Sequence, residues 1–246
     1  MRLLIDLGNS RLKWALSDTG EWRTGALAHR GHEINPLLDD AWAELSMPTM
    51  VVMASVAAVD ACRSVEMWIE RRWRVRSHRV EARSQELGVV NTYRDPATLG
   101  ADRWAALIGA RAEVSALPAA IVNCGTAVTI DALSARGEFV GGIIFPGLAL
   151  LQGTLATGTA GVRAMPGDET SCLARSTADA VAAGTLYGLA GAVERVCGEF
   201  EQALGEPVKV IITGGDADRV APHLIRPARR IPDLVLKGLD RIAATL

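Results

Sequence analysis

Two stretches of this chain couple a strand-like apolar run to a polar glycine turn. Leu3–Leu7 leads into Gly8, Asn9 and Ser10, and Ala120–Val122 leads into Asn123, Cys124, Gly125, Thr126 and Ala127. Backbone N–H groups beside a glycine can approach phosphate oxygens, and Asn9, Ser10 and Thr126 add side-chain donors, so the pair suits a polyphosphate. Asp6, closing the first run, offers an oxygen ligand to Mg²⁺, an ion that keeps several of its waters. The competing reading of Asp6 is a turn cap. A third apolar run ends in Thr213-Gly214-Gly215. Neither turn is a Walker loop, because GxxxxGK[ST] is absent.

A second constellation is Asp102–Arg103, at the start of a helical stretch from Leu99 to Ala116. Phosphoryl transfer to an alcohol needs a group to take the hydroxyl proton, and a carboxylate serves. Arg103 offers a planar fork for carboxylate or phosphate oxygens, and its charge is expected to keep Asp102 ionised. A macrodipole partner at a helix start is the alternative for Asp102. Thr177 follows a cap at Ser176, where a surface hydroxyl is unremarkable. Tyr93 lies in the turn-rich segment Asn91–Pro96 and reads equally as core or pocket.

Other reactive side chains form no pattern. Cys62, Cys124, Cys172 and Cys197 stand far apart with no CxxC pair, which argues against a metal knuckle or a disulfide framework and fits a reducing cytosol. Cys124 has no histidine near it in sequence and reads as a small residue at the end of a buried strand. The histidines (His29, His32, His78, His223) make no recognisable ligand set.

These residues need elements to hold them. The segment Ala119–Gly147, slid back by 117 positions, lies on the N-terminus without a gap, so that Asn123 falls on Asp6, Gly125 on Gly8, Ala132 on Ala15, Leu133 on Leu16, Ser134 on Ser17 and Glu138 on Glu21. We read a duplicated unit. Each copy gives three antiparallel strands and then alternating helices and strands. Leu3–Leu7, Arg11–Ser17 and Glu21–Leu27, with a turn at Asp18–Gly20, precede a helix over Pro36–Leu45. A strand over Met50–Ser55, a helix capped by Asp60 and a strand over Val75–Val80 follow. The second copy gives Ala120–Cys124, Ala127–Leu133 and Glu138–Ile144. A helix after Pro146 and a long helix over Ser176–Leu204 come next, the latter with the capping-box spacing of Ser176 and Asp179. Val208–Thr213, a short helix opened by Asp216, Arg226–Ile231 and a terminal helix complete it. Two α/β lobes of like topology, 1–118 and 119–246, with a cleft between them, are expected.

The bulk composition narrows the partners. With 246 residues, 49% hydrophobic content and a net charge of −2, the chain can bury a sizeable core and has no global attraction for nucleic acid or an anionic membrane. The basic run Arg71–Arg83 alternates with Trp73 and Val75 and reads as a solvated strand edge. No signal peptide is evident, because Asp6 interrupts the apolar opening. The uncharged stretch Phe139–Val162 is too rich in glycine and threonine for a membrane span and reads as buried strand, turn and helix.

The motifs Asp6-Leu7-Gly8-Asn9-Ser10, Gly100-Ala101-Asp102-Arg103, Asn123-Cys124-Gly125-Thr126-Ala127, Gly141-Gly142-Ile143-Ile144-Phe145-Pro146-Gly147 and Thr213-Gly214-Gly215 resemble, in kind and order, those of type III pantothenate kinases. That family belongs with the acetate and sugar kinases, Hsp70 and actin. The resemblance implies duplicated ribonuclease H-like (actin-like ATPase) lobes and transfer of the ATP γ-phosphate to the 4′-hydroxyl of pantothenate, the first committed step to coenzyme A. It implies that Asp6, Leu7, Gly8, Asn9, Ser10, Arg11, Leu12 and Lys13 cradle ATP, with Asp6 serving Mg²⁺ and Thr126 also contacting ATP. Asp102 is then the proton acceptor, and Tyr93, Gly100, Ala101, Asp102, Arg103 and Thr177 contact pantothenate. A cytoplasmic homodimer using a monovalent cation such as K⁺ or NH₄⁺ is implied as well. Ser10 replaces the usual threonine and keeps the hydroxyl. Asn123 replaces the aspartate linked to the monovalent cation, keeping one oxygen and losing the charge. Two further classes stay open on the residues themselves: a phosphohydrolase, and a nucleotide-binding regulator of the transcription-accessory kind.

Overall fold

The computed structural model describes residues 1–18, 21–114, 116–162, 167–168 and 171–246. In chain order the strands and helices are β1 (Arg2–Leu7), β2 (Arg11–Asp18), β3 (Glu21–Ala28), α1 (Ile34–Ala41), β4 (Met50–Ser55), α2 (Val59–Trp73), β5 (Ser77–Arg79), β6 (Gln85–Glu86), β7 (Val89–Asn91) and α3 (Ala101–Val114). They continue with β8 (Ala119–Cys124), β9 (Ala127–Leu133), β10 (Glu138–Pro146), α4 (Leu148–Gly158), α5 (Thr177–Leu204), β11 (Lys209–Thr213), α6 (Ala217–Val220), β12 (Ala228–Arg230) and α7 (Leu234–Ala243). The expected turn at Asp18–Gly20 includes Thr19 and Gly20, which lie outside the described residues.

The chain divides into two compact units, Met1–Glu113 with Asp233–Leu246, and Val114–Pro232. The first unit's sheet runs β3-β2-β1-β4-β5, and strands β10-β9-β8-β11-β12 adjoin in the same order in the second. In each, the first three strands of the copy pair antiparallel and the two later ones add in parallel. The topology is duplicated, as the repeat implies. The ungapped alignment, however, slips in the second strand. Leu7 pairs with Leu12 in the first copy, but Cys124 pairs with Val128 in the second, so the second glycine turn is one residue shorter. Ser17 therefore corresponds to Leu133, not Ser134. Register returns at the hairpin, where Trp22 faces Ser17 and Phe139 faces Leu133.

β1 is central and buried on both faces because its run is apolar up to Asp6. Leu3, Ile5 and Leu7 pack with residues of α1 and α2, including Leu38, Val65 and Ile69. Trp42, Trp68 and Trp73 cluster with ring centroids 5.0–5.7 Å apart, Trp68 edge-to-face with each of the others and Trp42 tilted at 32° to Trp73. Helix α2 starts at Ala58 without a side-chain cap, so Asp60 lies inside its first turn instead of capping it. It ends where Arg74 turns left-handed (φ 57°). Beyond it, β5 is the edge strand, and arginines of the basic run pair with nearby acids, Arg79 with Glu66 at 2.9 Å, Arg83 with Glu86 at 3.4 Å and Arg76 with Glu70 at 3.8 Å.

The expected division at 118/119 assigns the terminal helix to the second lobe, whereas α7 belongs with the first unit. It packs on β1 and β4 of the first sheet, with Leu234, Leu236, Leu239 and Ile242 buried, and it meets α3 through glycines. A methyl on Gly109 would stand 2.6 Å from the Leu234 carbonyl oxygen, and one on Gly238 would overlap the Ala105 carbonyl. The hairpin β6–β7 has no counterpart in the sequence reading. Its two turn residues, Leu87 and Gly88, both take positive φ (48° and 79°), a two-residue turn of the type that suits a right-handed strand twist.

In the second unit Ala120, Val122, Cys124, Val128 and Ile130 pack against Leu186, Leu189, Val193 and Cys197 of α5. Ser176 caps α5, its Oγ accepting from Asp179 N at 3.1 Å and donating to Asp179 Oδ2 at 2.7 Å. Arg226 ties the following loop to this helix through Glu194 and Glu201. Among the described residues, no helix is long and apolar enough to cross a membrane.

Candidate active site

The first glycine turn is built by β1 and β2. Asp6 stands opposite Lys13 in the ladder, and Leu7 opposite Leu12. Both leucine side chains are fully buried in the core, so within the Asp6–Lys13 segment they hold the strands together and only their backbone reaches outward. Asn9 and Arg11 are exposed, and Gly8, Ser10 and Lys13 half-buried. The turn is cross-braced: Gly8 N–H donates to the Arg11 carbonyl at 3.0 Å, and His29 N–H donates to the Ser10 carbonyl at 3.1 Å.

Asp6 is half-buried, and desolvation pushes its carboxyl up to about 6. Lys13 opposes that rise, while the negative charges of Asp102 and Asp233 add to it. Asp6, Lys13, Asp102 and Asp233 thus share one electrostatic neighbourhood within the first unit. Asp233 has no signal in the sequence. It occupies the residue before α7 in a left-handed conformation (φ 55°), and only the return of α7 to the first sheet brings its charge to Asp6.

Asp102 sits in the first turn of α3, its Oδ1 accepting from Arg103 N–H at 2.8 Å. A methyl on Gly100 would stand 2.7 Å from that same oxygen, so the glycine leaves room for the carboxylate. Arg103 and Lys13 favour the ionised form as expected, but burial outweighs them, and the net shift of the Asp102 carboxyl is upward. Arg103 acts in the expected direction, and burial is the larger influence.

Arg103 itself is 5% exposed, and its Nη1 donates to the Tyr93 hydroxyl at 2.9 Å, with the guanidinium carbon 5.7 Å from the ring centroid. Tyr93, left between core and pocket by the sequence, is half-buried and paired to the motif arginine. Its loop is fixed by Asn91, whose Oδ1 accepts from Tyr93 N–H and whose Nδ2 donates to the Pro96 carbonyl, both at 3.1 Å. Ala101 is buried in the helix start. The structure therefore brings Asp6, Lys13 and Asp102 into one neighbourhood, and joins Arg103 to Tyr93 at the head of α3.

The second glycine turn lies in the second unit. Thr126 is exposed, and Gly147 N–H donates to its carbonyl at 2.9 Å. Gly147 and Gly214 (φ 98°) approach the turn so closely that a methyl on either would overlap its backbone. Asn123 is half-buried in a ladder row with Thr129 on one side and Thr213 on the other. Cys124 is fully buried, and burial pushes its thiol up to about 12, which removes it as a nucleophile. Thr177 is exposed, one residue after the α5 cap. Among the described residues, no group of three acidic, histidine or cysteine side chains could hold a metal by itself.

Comparison with known proteins decides the family. The profile of the type III pantothenate kinases matches residues 2–199. The chain belongs to the type III pantothenate kinase family. It is 39% identical to the type III pantothenate kinase of Nitrosococcus oceani, over 99% of this chain and 94% of that one. It is 41% identical to that of Paracidovorax citrulli, over 98% and 97%. A structure from Sinorhizobium meliloti described as a 2-dehydro-3-deoxygalactonokinase superposes with a TM-score of 0.62 at 16% identity, covering 100% of this chain and 99% of the other. That likeness establishes the shared actin-like, sugar-kinase fold.

Proposed function

We infer that this type III pantothenate kinase phosphorylates the 4′-hydroxyl of pantothenate with ATP, using the Asp6–Lys13–Asp102 cluster of the first unit. The observation that carries the reading is that cluster, in which the half-buried carboxylates of Asp6 and Asp102 both feel the charge of Lys13, beside a turn whose Asn9 and Ser10 N–H groups have no acceptor among the described residues. The turn from Asp6 to Lys13 holds the nucleotide phosphates by its backbone and by Asn9 and Ser10. Asp102, its proton affinity raised by burial, takes the hydroxyl proton as the oxygen attacks the γ-phosphorus. The bond from phosphorus to the β,γ-bridging oxygen breaks, and ADP leaves. Gly100, Ala101, Arg103 and Tyr93 hold pantothenate, the Arg103 fork being suited to its carboxylate. In the second unit, Thr126 is assigned to ATP and Thr177 to pantothenate.

Mg²⁺ fits this donor set. One carboxylate, Asp6, with no full protein cage around it, matches an ion that takes one or two carboxylates and completes its shell with water and phosphate. When bound, the ion neutralises phosphate charge. The monovalent cation fits less well, because the row Thr213–Asn123–Thr129 is neutral. Rates in sodium, potassium and ammonium salts are expected to differ little.

A homodimer is supported by apolar side chains left exposed on β10 and α4, namely Val140, Ile143, Ile144 and Leu155. A cytoplasmic setting is supported by four unpaired cysteines. The decisive measurement is coupled ADP release with and without pantothenate, in each of the three salts. Release that needs pantothenate supports the kinase, whereas release without it makes the chain a phosphohydrolase. Absence of pantothenate binding by calorimetry would point to a regulator.

A further inference from the structure

His29 follows β3 and is only 8% exposed. Its Nε2 lies 2.8 Å from the Gly8 carbonyl oxygen. A carbonyl oxygen can only accept, so Nε2 carries the proton and the ring donates. The same residue's backbone N–H donates to the Ser10 carbonyl at 3.1 Å, and Gly8 N–H is spent on Arg11 at 3.0 Å. The inward-facing polar groups of the turn are therefore all engaged. Asn9 N–H and Ser10 N–H have no acceptor among the described residues.

Gly8 C=O and Asn9 N–H belong to one peptide plane. Among the described residues there is no cis peptide, and in a trans peptide the N–H points opposite to the C=O. A ring that pins the carbonyl on one side thereby aims the N–H on the other. Donation to the carbonyl also polarises the peptide and strengthens that N–H as a donor.

We propose that His29 is a positioning residue for the nucleotide: by donating from Nε2 to the Gly8 carbonyl, it aims the Asn9 N–H at a phosphate oxygen of ATP. The proposal rests on the assignment of the Gly8 turn to ATP. It concerns binding and orientation, and His29 touches neither pantothenate nor the transferred proton.

The test uses the full chain in steady-state assays and ADP calorimetry. His29→Leu removes the donor from a buried site, and His29→Gln keeps an N–H donor at similar reach. His29→Leu is expected to raise the KM for ATP and the Kd for ADP about 5–10-fold, the effect of one net hydrogen bond, with the KM for pantothenate unchanged. His29→Gln should recover most of that loss. A merely structural histidine would lower Tm without separating the two KM values, and that result overturns the proposal. Should His29→Leu fail to fold, His29→Asn, too short to reach Gly8, replaces it. Equal ATP KM values for His29→Asn and His29→Gln would then overturn the proposal. Gly8→Ala separates this from the reading beneath it. A methyl there meets only the Arg11 carbonyl at 3.4 Å, so the protein tolerates it while a phosphate drawn to the turn does not. Weakened ATP binding in Gly8→Ala but not in His29→Leu removes His29 alone. No weakening in either removes the turn as the ATP site.

Discussion

The penultimate residue of β1 is a carboxylate, Asp6, facing Lys13 across the ladder. At the equivalent end of β8 it is an amide, Asn123, between Thr129 and Thr213. Five strands of each sheet match in order, yet the first copy concentrates charge and the second none in that row. The backbones differ in a complementary way. Both turns fold a glycine N–H onto a carbonyl further along, Gly8 onto Arg11 and Gly125 onto Ala127, but the first is then held by a histidine, whereas the second is held by N–H groups of Gly147 and Asp216 from segments that Gly147 and Gly214 allow to press against it. Burying a charge costs stability unless it is paired, so a duplicated sheet that needs one ionic centre has reason to build it once and pack the other copy neutrally.

Removing the base should separate the two copies most sharply. Asp102→Asn is expected to lower kcat ~10²–10⁴-fold, the usual worth of a general base, with ATP binding retained. Single-turnover phosphoryl transfer and nucleotide calorimetry check it, and unchanged turnover would take Asp102 out of the mechanism. Asp6→Asn makes the first copy resemble the second. It should cost about 10²-fold in kcat/KM, as loss of an electrostatic anchor does. It should also stabilise the fold at pH 7 by about 1–3 kcal/mol in denaturant titration.

The sign follows from the raised carboxyl. The unfolded chain ionises near 3.8 and the folded one near 6, so the contribution of Asp6 to stability falls as pH rises between those values and stays lost above them. Asp6→Asn should flatten that slope. In the native enzyme, kcat/KM should fall as pH drops below about 6. Burial raises Asp102 as well, so both carboxyls contribute to the acid limb.

The reverse change, Asn123→Asp, is the sharper probe of the neutral copy. It should create potassium stimulation absent from the parent and lower stability by ~1 kcal/mol at low salt. Equal response of parent and variant to potassium would mean that the amide already serves the ion. The smallest effect on catalysis belongs to Cys124→Ser, which should leave kcat within about twofold and lower stability by ~1–3 kcal/mol, because it buries a hydroxyl.

What could be read from the chain depended on how local its cause was. The limits of β4 and β9, and all but one end residue of β1 and β8, were legible because buried apolar runs stop at polar turns. So was the α5 cap, whose Ser176 and Asp179 are three residues apart. The repeat was legible in topology and misaligned in β9, because chance matches of alanine, leucine and serine masked a turn shortened by one residue. The β6–β7 hairpin was hidden because Leu87 adopts positive φ without an asparagine or glycine to announce it. Asp102 was visible as a candidate base, but the upward direction of its shift was not, since burial belongs to the packed fold. Asp233 and His29 carry no motif at all. Each matters through a neighbour remote in sequence.

The return of residues 234–243 to the first sheet sets an order of assembly. Unit Val114–Pro232 is one continuous stretch and can close as soon as it has been synthesised, whereas the unit that starts the chain lacks the cover of Leu234, Leu236, Leu239 and Ile242 until the ribosome has made everything else. The earlier-made half should thus be the later to mature, and a nascent chain halted at Pro232 should be cleaved by protease mainly before residue 114.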